Sequence, residues 1–239
     1  MKSKFYQPGE ARADQVHRLF ATIARRYDLI NDIMSLGLHR RWKNRVARHA
    51  GRPERSLDLC CGTGDIAQRL PGFVVGVDFT AAVLQVAAAR QRNAGWVRWV
   101  RADALRLPFP NDVFDVVTVG YGLRNLADLP GGLREIHRVL RPGGRVLSLD
   151  FGKPAAWWAR RLYFGYLRVV LPWLGQWFCG DRDTHAYIVD SLEDYPAQRG
   201  LVELMQTAGF VDCGYEEFWF GAMAINWGRK PSAASAPLS

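Results

Sequence analysis

Cysteine is scarce in this chain and badly placed for any scaffold. Of four in 239 residues, Cys60 and Cys61 are adjacent, while Cys179 and Cys213 stand alone. That spacing excludes a disulfide framework and offers no metal-ligand pattern. The opening Met1-Lys2-Ser3-Lys4-Phe5 leads into a polar segment without the apolar core of a secretory leader, so a cytoplasmic location is expected. Long apolar runs are also lacking. Leu162–Cys179 is the best of them, and Arg168, Pro172 and Gln176 make it a poor membrane span. There is no internal repeat, and only Pro231–Ser239 is low in complexity, an expected disordered tail. Acid is rare near the N-terminus: residues 16–52 carry nine Lys/Arg against two Asp/Glu, which accounts for most of the net charge of +9. Such a patch could face nucleic acid, an anionic membrane or an acidic substrate, or be a solvated helix face.

What remains is a globular composition, 49% hydrophobic and 23% charged. Val16, Leu19, Phe20 and Ile23 recur at helical spacing, and residues 14–48 read as helical around a loop at Ser35–Leu38. The next hundred residues alternate. Short apolar strands are predicted at Ser56–Leu59, Val74–Asp78, Val97–Ala102, Phe114–Val119 and Arg145–Asp150. Helices are predicted at Thr63–Leu70, Ala81–Gln91 and Leu129–Leu140. Alternation of this kind implies βαβ units and a parallel sheet covered on both faces. Residues 153–195 interrupt it with helices expected to break at Pro172. Ala197–Ala208 reads as a helix, and Phe210–Trp219 with Ala222–Trp227 as an antiparallel hairpin. A parallel sheet finished by an antiparallel pair is the methyltransferase version of the doubly wound fold.

Leu57-Asp58-Leu59-Cys60-Cys61-Gly62-Thr63-Gly64-Asp65 puts a glycine-rich turn at the carboxyl end of the first strand, where open α/β sheets bind ligands. Asp78 ends the second strand, where a carboxylate can bind ribose hydroxyls, and Asp103 with Ala104 follows the third, within reach of an adenine amino group. Each acid alone would more often be a helix cap. A dinucleotide is the competing ligand, since Gly62-Thr63-Gly64-Asp65-Ile66-Ala67 retains a small residue in third place. Asp65 would repel its pyrophosphate, whereas Asp58 and Asp65 suit the cationic sulfonium and amino group of S-adenosyl-L-methionine. A nucleic-acid methyltransferase is disfavoured, because Val119-Gly120-Tyr121-Gly122 has no Asn/Asp-Pro-Pro-Tyr turn; no nucleic-acid partner is expected. A silent cofactor-binding protein is disfavoured by the intact glycine turn and strand-end acids.

Two segments carry a more specific likeness. Tyr27-Asp28-Leu29-Ile30-Asn31 runs on to Ser35-Leu36-Gly37-Leu38-His39-Arg40-Arg41-Trp42. Arg138-Val139-Leu140-Arg141-Pro142-Gly143-Gly144-Arg145 runs on to Asp150-Phe151-Gly152-Lys153-Pro154. With Gly122-Leu123-Arg124-Asn125 and Tyr195-Pro196-Ala197-Gln198, these resemble the ubiquinone/menaquinone biosynthesis C-methyltransferases from about Val16 to Lys230. Asp150 and Gly152 depart from the Glu-Phe-Ser usual there. The resemblance implies a class I S-adenosyl-L-methionine-dependent methyltransferase. A helical cover would span residues 1–52 and the methyltransferase domain 53–230, with a helical lid at about 153–195. It implies cofactor contacts at Thr63, Asp78, Asp103 and Ala104, beside the turn residues Asp58, Gly62 and Gly64. A further contact falls at Gly120, where ubiquinone-type members often carry serine, so the lean is toward demethylmenaquinone. The implied substrate is a polyprenylated quinol methylated at a ring carbon.

Methylating a ring carbon calls for loss of a phenolic proton beside the methyl donor. Arg124 is the first candidate to stabilise the developing oxyanion, with Asn125 orienting it; the alternative for Arg124 is a loop-fixing salt bridge. His39 is the candidate proton acceptor, or else a core histidine. Tyr27, Tyr121 and Arg124 are the expected substrate contacts. Lys153–Phe178 contains four basic residues, eight aromatics and no acid. Its stripes, Trp157-Arg161-Phe164-Arg168 and Trp158-Leu162-Tyr166-Val169, suit a lid over an apolar tail or a peripheral contact with anionic lipid.

Overall fold

The computed structural model describes residues 35, 37–91, 96–179 and 183–232. The expected helix through Val16 and Ile23, and Tyr27 with its neighbours, lie outside the described residues. Helix α1 (Leu38–Ala50) leads into strand β1 (Arg55–Leu59), followed by β2 (Phe73–Asp78), α2 (Ala81–Arg90), β3 (Val97–Arg101) and β4 (Phe114–Gly120). Next come α3 (Leu129–Val139), β5 (Leu140–Phe151), α4 (Trp157–Cys179), α5 (Asp183–Asp194), α6 (Ala197–Thr207), β6 (Val211–Phe218) and β7 (Met223–Arg229).

The seven strands form one sheet in the order β3-β2-β1-β4-β5-β7-β6. β1 pairs parallel with β2 and β4, as do β2 with β3 and β4 with β5. β7 runs antiparallel between β5 and β6, the expected closing hairpin. The order reverses between β1 and β4, which makes their carboxyl ends the switch point where such sheets bind ligands.

Strand alternation divides the core. Val117, Val119 and Val146 face one side with Leu133 and Ile136 of α3, Leu192 of α5 and Leu201 of α6. Val116, Leu147 and Leu149 face the other, where Trp42, Val46 and Ala50 bring α1 onto the sheet. Helix α3 starts where Asp128 accepts a hydrogen bond from Gly131 N–H, with Pro130 in its first turn.

Two expectations fail locally. Thr63–Leu70 is not a helix: only a 3-10 turn forms at Ala67–Arg69. Left-handed backbone at Gly62 and Gly64 (φ 53° and 82°) delays its start, and Leu70, extended before Pro71, ends it. Pro172 does not break the lid, because α4 runs through it for 23 residues. The proline removes the hydrogen bond to the carbonyl of Arg168. Arg168 is solvent-exposed, so water can satisfy that group.

Candidate functional site

The carboxyl ends of β1 and β4 turn sharply in step. Cys60 and Tyr121, each just past its strand, adopt left-handed backbone (φ 54° and 60°). Such conformations are costly for these residue types and concentrate at functional sites. The two turns pack against each other, since a Cβ on Gly122 would lie 2.5 Å from the Cys60 Cβ. Asp78 fastens the glycine turn, accepting hydrogen bonds from Gly62 N–H and Thr80 N–H, both at 2.9 Å.

Asp58 lies beneath. It accepts from the Thr118 hydroxyl at 2.7 Å and from Ala67 N–H at 2.9 Å. Burial pushes its pKa up to about 7 against the opposing pull of those hydrogen bonds and of Lys43. Burial also raises both Cys60 and Cys61, which keeps the thiols protonated and poor nucleophiles.

Asp58, Cys60, Cys61, Gly62, Thr63, Asp65, Ile66, Gly120 and Tyr121 line a narrow pocket of about 30 Å³, and Lys43 of α1 closes it. Lys43 Nζ donates to Asp65 Oδ2 at 2.5 Å, and Arg69 stands 3.7 Å from the other oxygen. Lys43 and Arg69 hold the Asp65 carboxyl below its usual range against the effect of burial. Asp65 is therefore less free to repel an anion than its place in the sequence suggested. The donor set still fits S-adenosyl-L-methionine. Carboxylates and an ammonium stand together at a glycine, Gly62, whose added Cβ would meet nothing within 4 Å, so a ligand can approach that backbone.

A second cavity, about 560 Å³, opens beside the first. Its wall is almost wholly apolar, with His39 and Trp42 from α1, Phe151, Trp158 and Leu162, and Trp219 and Phe220. Its volume falls in the range of small-molecule sites. Tyr121 lines both spaces. His39 is buried, and its backbone N–H donates to Ser35 Oγ at 3.1 Å.

The expected residues are thus brought together unevenly. Asp58, Gly62, Thr63, Gly120 and Tyr121 line the narrow pocket, while Gly64 supports it from behind. A Cβ on Gly64 would strike the Trp99 ring at 2.3 Å. Asp103 turns its carboxylate to Leu105 N–H at 2.9 Å, beside buried Ala104. His39 reaches the large cavity, and Tyr27 lies outside the described residues. Arg124 does not line the cavity. It is 5% exposed, ion-paired with Asp150 at 2.5 Å, and stacked over the Phe151 ring. Arg124 Nη1 and Asn125 Nδ2 both donate to the Tyr121 carbonyl, at 3.1 and 3.2 Å.

Sequence reading missed Lys43 and Ile66. Lys43 was counted only within a basic run, although it follows His39 by four residues on one helix face. The same helix spends more of its charge on packing, with Arg45 and His49 meeting Glu216 at 3.0 and 3.1 Å. Along α4 both expected stripes are largely exposed, including Trp157, Leu162 and Val169, and so is Trp177 beyond them. The inward side is Tyr163, Phe164 and Leu167. Among the described residues no helix is long and apolar enough to cross a membrane.

A doubly wound sheet closed by an antiparallel hairpin, with a glycine cradle at the switch point, defines the class I methyltransferase fold. Solved structures of low identity share it. A possible histamine N-methyltransferase from Thermotoga maritima superposes with a TM-score of 0.65 at 17% identity, covering 89% of this chain and 99% of that one. Phosphoethanolamine N-methyltransferase 2 of Haemonchus contortus, in complex with S-adenosyl-L-methionine, gives 0.58 at 17% identity over 80% of this chain and 53% of its own. The chain belongs to the ubiE/COQ5 methyltransferase family, which matches it over residues 8–230. Among its relatives is a ubiquinone/menaquinone biosynthesis C-methyltransferase of Xanthomonas campestris, 42% identical over 90% of this chain and 89% of the relative. A counterpart from Coxiella burnetii is 38% identical over 93% and 94%. A demethylmenaquinone methyltransferase of Geobacillus kaustophilus is 34% identical over 92% and 99%.

Proposed function

We propose that this chain transfers a methyl group from S-adenosyl-L-methionine to a ring carbon of a polyprenylated quinol, with demethylmenaquinol as the substrate. The observation that carries the reading is Tyr121. One residue forms part of both a polar glycine cradle and an apolar cavity of about 560 Å³. A cationic methyl donor and an apolar acceptor with a polar ring require such neighbouring spaces. The names of the relatives, which cover both quinones, support the quinol class, and Gly120 in place of serine supports the demethylmenaquinol choice.

S-adenosyl-L-methionine supplies an electrophilic methyl when bound; Asp58, Gly62, Thr63, Asp65, Asp78, Asp103, Ala104 and Gly120 are the residues proposed to hold it. His39, on the cavity wall, accepts the phenolic proton that makes the ring carbon nucleophilic. Tyr121 and Trp42 orient the ring between the two spaces. Arg124 and Asn125, joined at the Tyr121 carbonyl, act as positioning residues that keep the strained turn in place. The apolar wall excludes water from the reacting carbon. The exposed aromatics of α4, with Arg160, Arg161 and Arg168, make a peripheral contact with anionic lipid through which the prenyl tail reaches the cavity.

The test is a methyl-transfer assay with demethylmenaquinol and a demethoxy-ubiquinol precursor. Methylated menaquinol is expected. Product from the ubiquinol precursor alone would reverse the substrate choice, and no product from either, despite cofactor binding, would overturn the quinol reading.

A further inference from the structure

Lys43 is the most deeply buried cation of the cofactor pocket, 3% exposed, and its position is costly. An ammonium withdrawn from water is tolerated when well paired, yet it carries three donors, and among the described residues Asp65 is its one hydrogen-bond partner. The partnership is also unequal. The Asp65 side chain keeps 29% of its surface in solvent and has Arg69 as a second cation, 3.7 Å away. Asp65 can thus part with Lys43 and stay neutralised, whereas Lys43 without Asp65 keeps only Asp58 within electrostatic reach, a carboxyl that accepts from Thr118 and Ala67 and that burial pushes toward its neutral form.

The pocket is about 30 Å³, too small for a nucleoside–amino-acid conjugate unless its side chains shift, and the Lys43–Asp65 pair stands across it. From this geometry we infer that Lys43 is a carboxylate-binding residue: it exchanges Asp65 for the α-carboxylate of the cofactor's amino-acid end, leaving Asp65 to accept from the α-ammonium. One buried ion pair would then read one zwitterion, each member replacing a partner of opposite sign. No net charge is buried in the exchange, which makes the trade inexpensive in a low-dielectric pocket.

A consequence follows from the helix. His39, Trp42 and Lys43 lie on one face of α1, the first two on the large cavity and the third on the cofactor pocket. A cofactor held by Lys43 therefore also steadies the wall against which the acceptor sits, so each ligand is expected to tighten the binding of the other.

The inference rests on the reading that the cradle holds S-adenosyl-L-methionine, and the experiment keeps the two apart. Titration calorimetry on the full chain would use S-adenosylhomocysteine, which retains the amino-acid end, and 5′-methylthioadenosine, which lacks it. Lys43→Met is expected to weaken S-adenosylhomocysteine about 10- to 100-fold, the loss of one charge-assisted hydrogen bond. Binding of 5′-methylthioadenosine should stay within about twofold of the parent chain. Lys43→Arg, which keeps the charge, should recover most of the S-adenosylhomocysteine affinity and guards against a variant that fails to fold. Equal weakening of both ligands, or no change in either, would assign Lys43 to helix docking and overturn the inference alone. A parent chain that binds neither ligand would overturn the cradle reading and the inference with it.

Discussion

Arg124 and Asp150 face each other at 2.5 Å, both almost fully buried, between the turn after β4 and the end of β5. The pair sits behind Tyr121, and Arg124 reaches that residue's carbonyl. Removing one member leaves a buried charge without its partner, a loss of about 3–5 kcal/mol. Arg124→Met should therefore lower the denaturation free energy by about that amount. Replacing both, Arg124→Met with Asp150→Leu, should cost less than Arg124→Met alone. A double variant no more stable than the single would show that the pair matters through something other than its charges.

The pH dependence of stability should carry the mark of Asp58. Its folded pKa of about 7 lies above the unfolded value near 3.9. The protonated form is thus favoured by folding; its contribution is fully present below about pH 4 and lost as pH rises through about 7. The size is at most about 4 kcal/mol. Asp58→Asn should remove this slope, because Thr118 can turn its hydroxyl to accept from the amide while Ala67 N–H still donates to the oxygen. Urea titrations of both chains at pH 5 and pH 8 check it: the parent should lose stability relative to the variant.

Gly120 and Ile66 fit as a pair. A Cβ at position 120 would stand 2.6 Å from the Ile66 Cδ1. Gly120→Ser is expected to cost about 1–3 kcal/mol through overpacking. Ile66→Val removes the offending methyl, so the double variant should melt closer to the parent than Gly120→Ser does. Independent, additive losses would contradict the packing explanation.

His39→Gln should reduce kcat about 100-fold or more while leaving S-adenosylhomocysteine affinity unchanged, if the imidazole takes the phenolic proton. A drop of only a fewfold would mean that alignment of the methyl with the ring supplies most of the rate.

Membrane contact can be read by vesicle sedimentation. Trp157, Trp177 and Phe220 are 77, 71 and 83% exposed, and Phe220 borders the mouth of the large cavity. Vesicles containing phosphatidylserine should retain the parent chain, and the triple serine variant should bind severalfold more weakly. High salt should weaken both, because Arg160 and Arg161 supply most of the charge attraction, Arg168 being paired with Glu193 at 2.7 Å. Equal retention of parent and variant would remove Trp157, Trp177 and Phe220 as the contact.

Much of the fold was legible because its signals are local. The short apolar run of Phe114–Val119 and the turn chemistry of Gly62 and Gly64 depend on neighbours within a few positions. Local reading failed where packing overrode it. At Pro172 the helix continues, the unbonded carbonyl belonging to the exposed residue Arg168, and at Thr63–Leu70 the glycine conformations shorten the helix. Asp65 read as a lone acid because the cation that meets it is 22 residues away on another element. Arg124 reads first as an oxyanion stabiliser and only second as a loop-fixing ion pair, and its burial against Asp150 favours the second geometry.

By itself the sequence determined the alternating α/β architecture, the glycine turn after the first strand and the row of acids at successive strand ends. These follow from periodicity and from residues that tolerate particular backbone angles. Only the tertiary structure decided that Lys43 closes the cofactor pocket and that Tyr121 belongs to two spaces at once. It alone decided that Arg124 is committed to Asp150. Each of those facts depends on how α1 docks and on the register of β4 against β5, and such long-range packing leaves no short-range pattern in the chain.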